Sequence, residues 1–166
     1  MRSIYILIGC FCLCAFVMLP AQAFTINTLA ITVGQNGDAQ VNLQYQLSPL
    51  EDAAVFLHIA DPSTELQNAL DENLNTQVTV ERADSSSADI MVPSFASVSG
   101  SPGALIMATP AFSLEHAQAV VEQYWFAPLI SPDFTPQMTT ITFPDGYRQT
   151  FNNQISFPSV IHVIGS

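Results

Sequence analysis

The residues best suited to acid–base or metal chemistry are three histidines, His58, His116 and His162. They fall on three separate predicted elements, with no H-x-x-x-H or H-E-x-x-H spacing to bring two onto one helix face. Each reads as an ordinary surface or hydrogen-bonded histidine, and no metal site is expected. Asp71-Glu72-Asn73-Leu74-Asn75 opens like a calcium-binding loop. Such a loop needs Gly at its sixth position and Glu at its twelfth. Thr76 and Arg82 stand there instead, so the segment reads as a polar helix end with an Asn-rich turn. No G-x-S-x-G elbow is present, and Gly100-Ser101-Pro102-Gly103 is only a turn. The chain has no lysine, which excludes Schiff-base chemistry, a Ser–Lys dyad and a phosphate-loop lysine. No catalytic residue and no cofactor are assigned.

Binding chemistry has one distinctive candidate, the segment from Tyr124 to Pro136. It carries the single tryptophan, three more aromatic residues and three prolines. A proline-stiffened, aromatic-lined loop can receive a sugar, a peptide or a partner surface. Tyr124, Trp125, Asp133 and Phe134 are the candidate ligand-binding residues. The competing expectation is that the same rings cover a neighbouring hairpin, since aromatic side chains usually pack before they bind.

Charge narrows the partners. The formal net charge is -11, from 14 acids against 3 arginines. Nucleic-acid binding is excluded, because phosphate neutralisation supplies most of that affinity. A basic patch for anionic lipid is excluded likewise. Arg2, the uncharged run from Ile4 to Leu19, Pro20 and then Ala21-Gln22-Ala23 form the three parts of a secretory signal peptide. Cleavage is expected after Ala23. The alternative is an uncleaved N-terminal anchor, the only expected membrane contact. Lipidation at Cys10 is disfavoured, because too few apolar residues precede Leu7-Ile8-Gly9-Cys10. All three cysteines lie within the signal, so the exported chain is expected to be disulfide-free and held by hydrophobic burial.

The elements that must position these residues are read from periodicity. Ala39–Leu47 alternates apolar residues with amides, the mark of a half-buried strand. Leu29, Ile31 and Val33 give the preceding strand, with Asn36-Gly37 in the hairpin between. An odd loop centred on Gly37 matches the faces, setting Val33 opposite Val41 and Ile31 opposite Leu43. Ser48-Pro49-Leu50-Glu51 predicts a helix start, and Asp61-Pro62 opens a second helix with Leu66, Ala69, Leu70 and Leu74 on one face. Strands follow near 77–82, 90–98 and 105–108. The longest predicted helix runs from a Ser113 cap to Ala127. Its inward face is Leu114, Ala117, Val120, Val121 and Tyr124, and Gln118 faces water. Phe143-Pro144-Asp145-Gly146-Tyr147 fits a three-residue hairpin loop that pairs Phe143 with Tyr147 and Thr139 with Phe151. A last strand near 155–163 carries Pro158, which suits an edge.

The expected architecture is residues 1–23 as a signal helix, then residues 24–166 as a single α+β domain. Its sheet is mostly antiparallel, with helices on one face. The expected function is a secreted or cell-envelope-associated, non-catalytic interaction domain that meets a protein or an envelope surface. The alternatives are a small exported hydrolase using Asp or Glu with His116 or His162, and an acidic-loop binder of cations or small ligands. A hydrolase should show a deep pocket holding a His within reach of a carboxylate. An interaction domain should show an exposed apolar patch. A cation binder should show converging carboxylates.

Overall fold

The computed structural model describes residues 24–47, 67, 78–101, 104–122 and 133–165. The predicted leader, the predicted helices at 48–59 and 61–74, His58, the segment 71–75, Tyr124 and Trp125 lie outside them, Gln67 excepted.

The main sheet has six strands. They are β1 (Thr25–Val33), β2 (Ala39–Gln46), β3 (Thr79–Ala83), β4 (Ser87–Val92), β8 (Met138–Thr142) and β9 (Arg148–Asn152), in the order β3-β4-β2-β1-β8-β9. A second sheet orders β11 (Ile161–Gly165), β6 (Ala104–Ala108) and β5 (Ser97–Ser101) side by side. Two short strands, β7 (Phe112–Ser113) and β10 (Ser156–Phe157), form a small third sheet. The ladders are antiparallel except β1–β8, which is parallel.

The expectation of helices on one face is wrong. Among the described residues the only helix given as an element is α1 (Glu115–Val121), and the layer over the main sheet is made of strands. Leu29, Ile31, Val33, Ala39, Ile141 and Phe143 from the main sheet share one core with Met107 and Phe157 from the other two. Phe95, Phe112 and Ile164 pack against it. Two prolines explain the error. The run 90–98 is not one strand, because the chain turns after Pro93 and β4 and β5 join different sheets. The run 155–163 breaks at Pro158, leaving β10 in one sheet and β11 in another. Proline removes a ladder donor, so a continuous apolar run stops there and its halves re-pair.

Two of the three hairpin loops of the main sheet, β1–β2 and β8–β9, have one geometry. Phe143 N donates to Tyr147 O at 2.9 Å and Gly146 N to Phe143 O at 2.9 Å. Gly34 N donates to Asp38 O at 2.7 Å and Gly37 N to Gly34 O at 3.0 Å. Asp145 and Asn36 each accept an amide two residues on, from Tyr147 at 3.1 Å and Asp38 at 3.2 Å. Gly146 and Gly37 both sit at φ 88°. Each is a type I turn followed by a left-handed glycine. The second loop pairs Thr139 with Phe151 as expected. The first loop is odd, but its register differs by two residues: Val33 faces Ala39 and Ile31 faces Val41. Gly37 is the third loop residue, not the centre.

Between Ile26 and Thr28 the β1–β2 register shifts. The extra residue, Asn27, brings Ile26 onto the same face as Leu29, where it is buried. The helix also differs from expectation. Ser113 Oγ accepts the Glu115 amide at 3.1 Å, a true cap. Ala117, however, is exposed, whereas Gln118 is half-buried and accepts from Phe134 N at 3.3 Å. Leu114 packs against the core as expected, so the departure among the described side chains is at Ala117 and Gln118.

The two loop glycines should respond differently to alanine. Gly146→Ala meets no atom within 4 Å and carries only the left-handed backbone cost, about 1–2 kcal/mol. Gly37→Ala also drives a methyl to 2.3 Å from the Ala96 carbonyl oxygen, so its loss should reach about 3 kcal/mol or more. Denaturant unfolding of both variants measures the difference.

Candidate functional site

Side chains able to do chemistry gather at the two ends of β8. At its start, the chain before β8 runs beside β1: Asp133 N donates to Phe24 O at 3.0 Å and Gln137 N to Ile26 O at 3.1 Å. Phe134 packs on Phe24 with centroids 4.9 Å apart, and Phe24 on Tyr45 at 5.6 Å. Asp133 is exposed and caps its own turn, accepting the Thr135 amide at 2.9 Å. Two of the four candidate binding residues are therefore neighbours at the start of the β1–β8 ladder, among the inner strands of the main sheet.

The ring cluster runs on into the β3–β4 turn. Tyr45 donates its hydroxyl to Asp84 O at 2.6 Å. Asp84 Oδ1 accepts the amides of Ser86 at 2.8 Å and Ser87 at 2.9 Å, and its Oδ2 pairs with Arg82 at 2.6 Å. The Ser86 amide first, then Arg82, hold the Asp84 carboxyl well below the usual carboxylate range. Burial, with the negative Asp84 beside it, pushes the Tyr45 phenol up to about 12.

At the other end of β8, His162 Nε2 lies 2.7 Å from Asp145 Oδ2. The imidazole stacks on Tyr147, with centroids 4.1 Å apart and planes at 8°, and leans on Phe143 at 5.1 Å. Tyr147 Oη is 3.2 Å from Gln149 Oε1, to which it donates. This is the His–carboxylate geometry a hydrolase would need, but the partners are the Tyr147 amide and aromatic rings. No serine or threonine hydroxyl bonds the imidazole among the described residues. The pair also joins two sheets, since His162 belongs to β11 and Asp145 to the β8–β9 loop.

A shallow open hollow lies elsewhere, bordered by Ser94, Phe95, Ser97, Thr109 and Ser159. Three of its hydroxyls are engaged: Ser97 donates to Ala108 O at 3.3 Å, Ser159 donates to Thr109 O at 2.6 Å and Thr109 Oγ1 accepts from Val160 N at 3.0 Å. No titratable side chain lines it, so acid–base chemistry has no place there. His116 is exposed on α1. Among the described residues no three metal-ligating side chains converge, and no helix is long and apolar enough to cross a membrane.

The feature missed in sequence is the edge strand β11. Val163 faces Ile106, and Ile161 faces Ala108. These side chains point away from Met107, which is fully buried on the inner face. Ile161 is 69% exposed, Val163 56% and Ile106 42%. The signal was present, since Ile161 and Val163 alternate with His162 and Ile164. It was hidden by reading 155–163 as a single strand. No protein-family model matches the chain, and no curated protein or solved structure matches it.

Tyr45 gives a titration test. A phenol raised above its unfolded value contributes stability that is fully present below about pH 10 and is lost as pH rises towards 12. Ultraviolet titration should show one tyrosine ionising late, and Tyr45→Phe should abolish that late phase.

Proposed function

We propose that this protein is an exported, non-catalytic interaction domain that receives an extended segment of a protein partner along β11. The supporting observation is the apolar face of β11 and β6 beside a strand edge that no described strand pairs, with no Asp, Glu, Lys, Arg or proline on it. Open edges invite pairing, and folded proteins usually guard them. The two edges of the main sheet are guarded. On β3, the Gln67 side chain donates to Val78 O at 3.0 Å and accepts from Val80 N at 2.7 Å, taking the place of another strand. On β9, the exposed positions are Arg148, Thr150 and Asn152. The β5 edge is uncharged as well, but Val98 is its one exposed large apolar residue, set among the small Ser97, Ser99 and Gly100, against three on β11 and β6.

Strand addition supplies main-chain hydrogen bonds along the edge, and alternate side chains supply specificity. The fitting partner has apolar residues at every second position, to meet Ile161, Val163 and Ile106. Its flanks are neutral or basic, because the full chain carries a net charge of -11 and one of its 3 arginines, Arg2, lies in the leader. Export rests on Arg2, the apolar run and Ala21-Gln22-Ala23. The engagement of His162 with Asp145 and the Tyr147 ring supports a structural role for that pair.

A display library of peptides, screened on the folded protein, should return segments of alternating apolar residues. Val163→Lys should weaken their binding at least about tenfold, or about 1.4 kcal/mol, with an unchanged circular dichroism spectrum. Equal binding by that variant rejects β11 as the docking edge. Export is checked separately: protein recovered outside the cytosol should begin at Phe24. A chain retained in the cytosol and still starting at Met1 would count against it.

A further inference from the structure

Two loops of the main sheet hold the second layer, and they do so by different chemistry. The β1–β2 loop grips the corner between β4 and β5 through backbone amides: Ser94 N donates to Asp38 Oδ1 at 2.7 Å and Ala96 N to Gly37 O at 2.8 Å. Those amide donors do not titrate. The β8–β9 loop grips β11 through His162 and Asp145, at 2.7 Å. We propose that the His162–Asp145 pair is a proton-controlled latch fastening the edge strand β11 to the main sheet.

Asp145 divides its carboxylate between two tasks. Oδ1 accepts the Tyr147 amide and shapes the loop, while Oδ2 faces the imidazole. The ring lies flat on Tyr147, so a protonated imidazole gains both an ion pair and a cation–π contact. A neutral ring keeps at most the hydrogen bond. The side chains facing it can be named from each element around it. Asp145 and Tyr147 come from the β8–β9 hairpin. Phe143 at the end of β8 and Met107 on β6 carry no charge. Arg148 pairs with Thr142 and so points to the opposite face of the hairpin. The imidazole therefore answers mainly to Asp145.

The latch has two limits. On the alkaline side it slackens as the imidazole loses its proton. On the acid side it fails when Asp145 gains one. His162 first, then the Tyr147 amide, hold the Asp145 carboxyl below its usual range. An acid lowered in this way contributes stability that is present above the ordinary carboxylate range and is lost as pH falls through the folded value. The closed window thus reaches further into acid than an isolated carboxylate would allow. Histidine is the side chain whose charge ordinarily changes across the pH range that compartments span, so acidification tightens β11 and a rise in pH frees it. The latch is read on the protein alone, with or without a partner strand on β11.

The test combines amide hydrogen exchange of the full chain, corrected for intrinsic rates, with NMR titration of the His162 ring. As the imidazole deprotonates, exchange in β11 and β6 should quicken several-fold, with a midpoint matching the ring titration. Exchange in β3 and β4 should hold steady. Asp145→Asn keeps the loop, since Asn36 fills the equivalent place in the first hairpin, and should flatten the profile. His162→Gln should flatten it too. An unchanged profile in either variant overturns the latch, as does wild-type exchange in β11 that ignores the ring titration.

Discussion

The arrangement depends on β1 being paired along both of its edges, antiparallel to β2 and parallel to β8. An antiparallel neighbour needs only a tight loop, whereas a parallel neighbour requires the chain to leave the sheet and return at the far end. Here the departing chain supplies β5, β6, β7 and α1 before coming back as β8. Those strands lie over the inner face of the main sheet, where Leu29, Ile31 and Ile141 need cover. The second layer is therefore the crossover itself. After β9 the chain makes a second pass, adding β10 to β7 and β11 to β6.

This construction explains why the chemistry sits where it does. The β1–β2 and β8–β9 loops project beyond their strands and meet the layer above them. Gly37 is buried and approaches Ala96 too closely for any side chain. Asp145 reaches His162 instead. One loop geometry thus supports a seam built on backbone amide donors on one side of the molecule and a histidine–carboxylate seam on the other. The second seam holds the same strand that presents Ile161 and Val163 outward.

Much of the local structure was legible in the sequence. Pro144-Asp145-Gly146 specified its turn, and with it the pairing of Thr139 with Phe151. The same grammar applied to Asn36-Gly37 would have placed Val33 opposite Ala39; centring the loop on glycine cost two residues of register. The alternation in β2 was plain because its outer face is amides. What could not be read was the change of sheet at Pro93 and at Pro158, since an apolar run looks alike whichever neighbour it pairs with. The helix face misled because Gln118 found a backbone partner in Phe134, a contact no periodicity encodes. His162 and Asp145 are 17 positions apart on elements that meet only through the second layer. Of the expected site, Asp133 and Phe134 could be followed into the fold, where they serve pairing and packing.

Threading both upper sheets from two separate passes has a cost in time. Thr28 finds Met138, and Ala104 finds Gly165, only after long stretches of intervening chain have been made. Such distant pairings slow folding, because loop closure must precede the contacts that reward it. A ribosome delivers β1 and β2 early, and their apolar face then waits uncovered while the rest is synthesised. A chain built this way gains from a holding factor that shields the first hairpin until the final strand emerges.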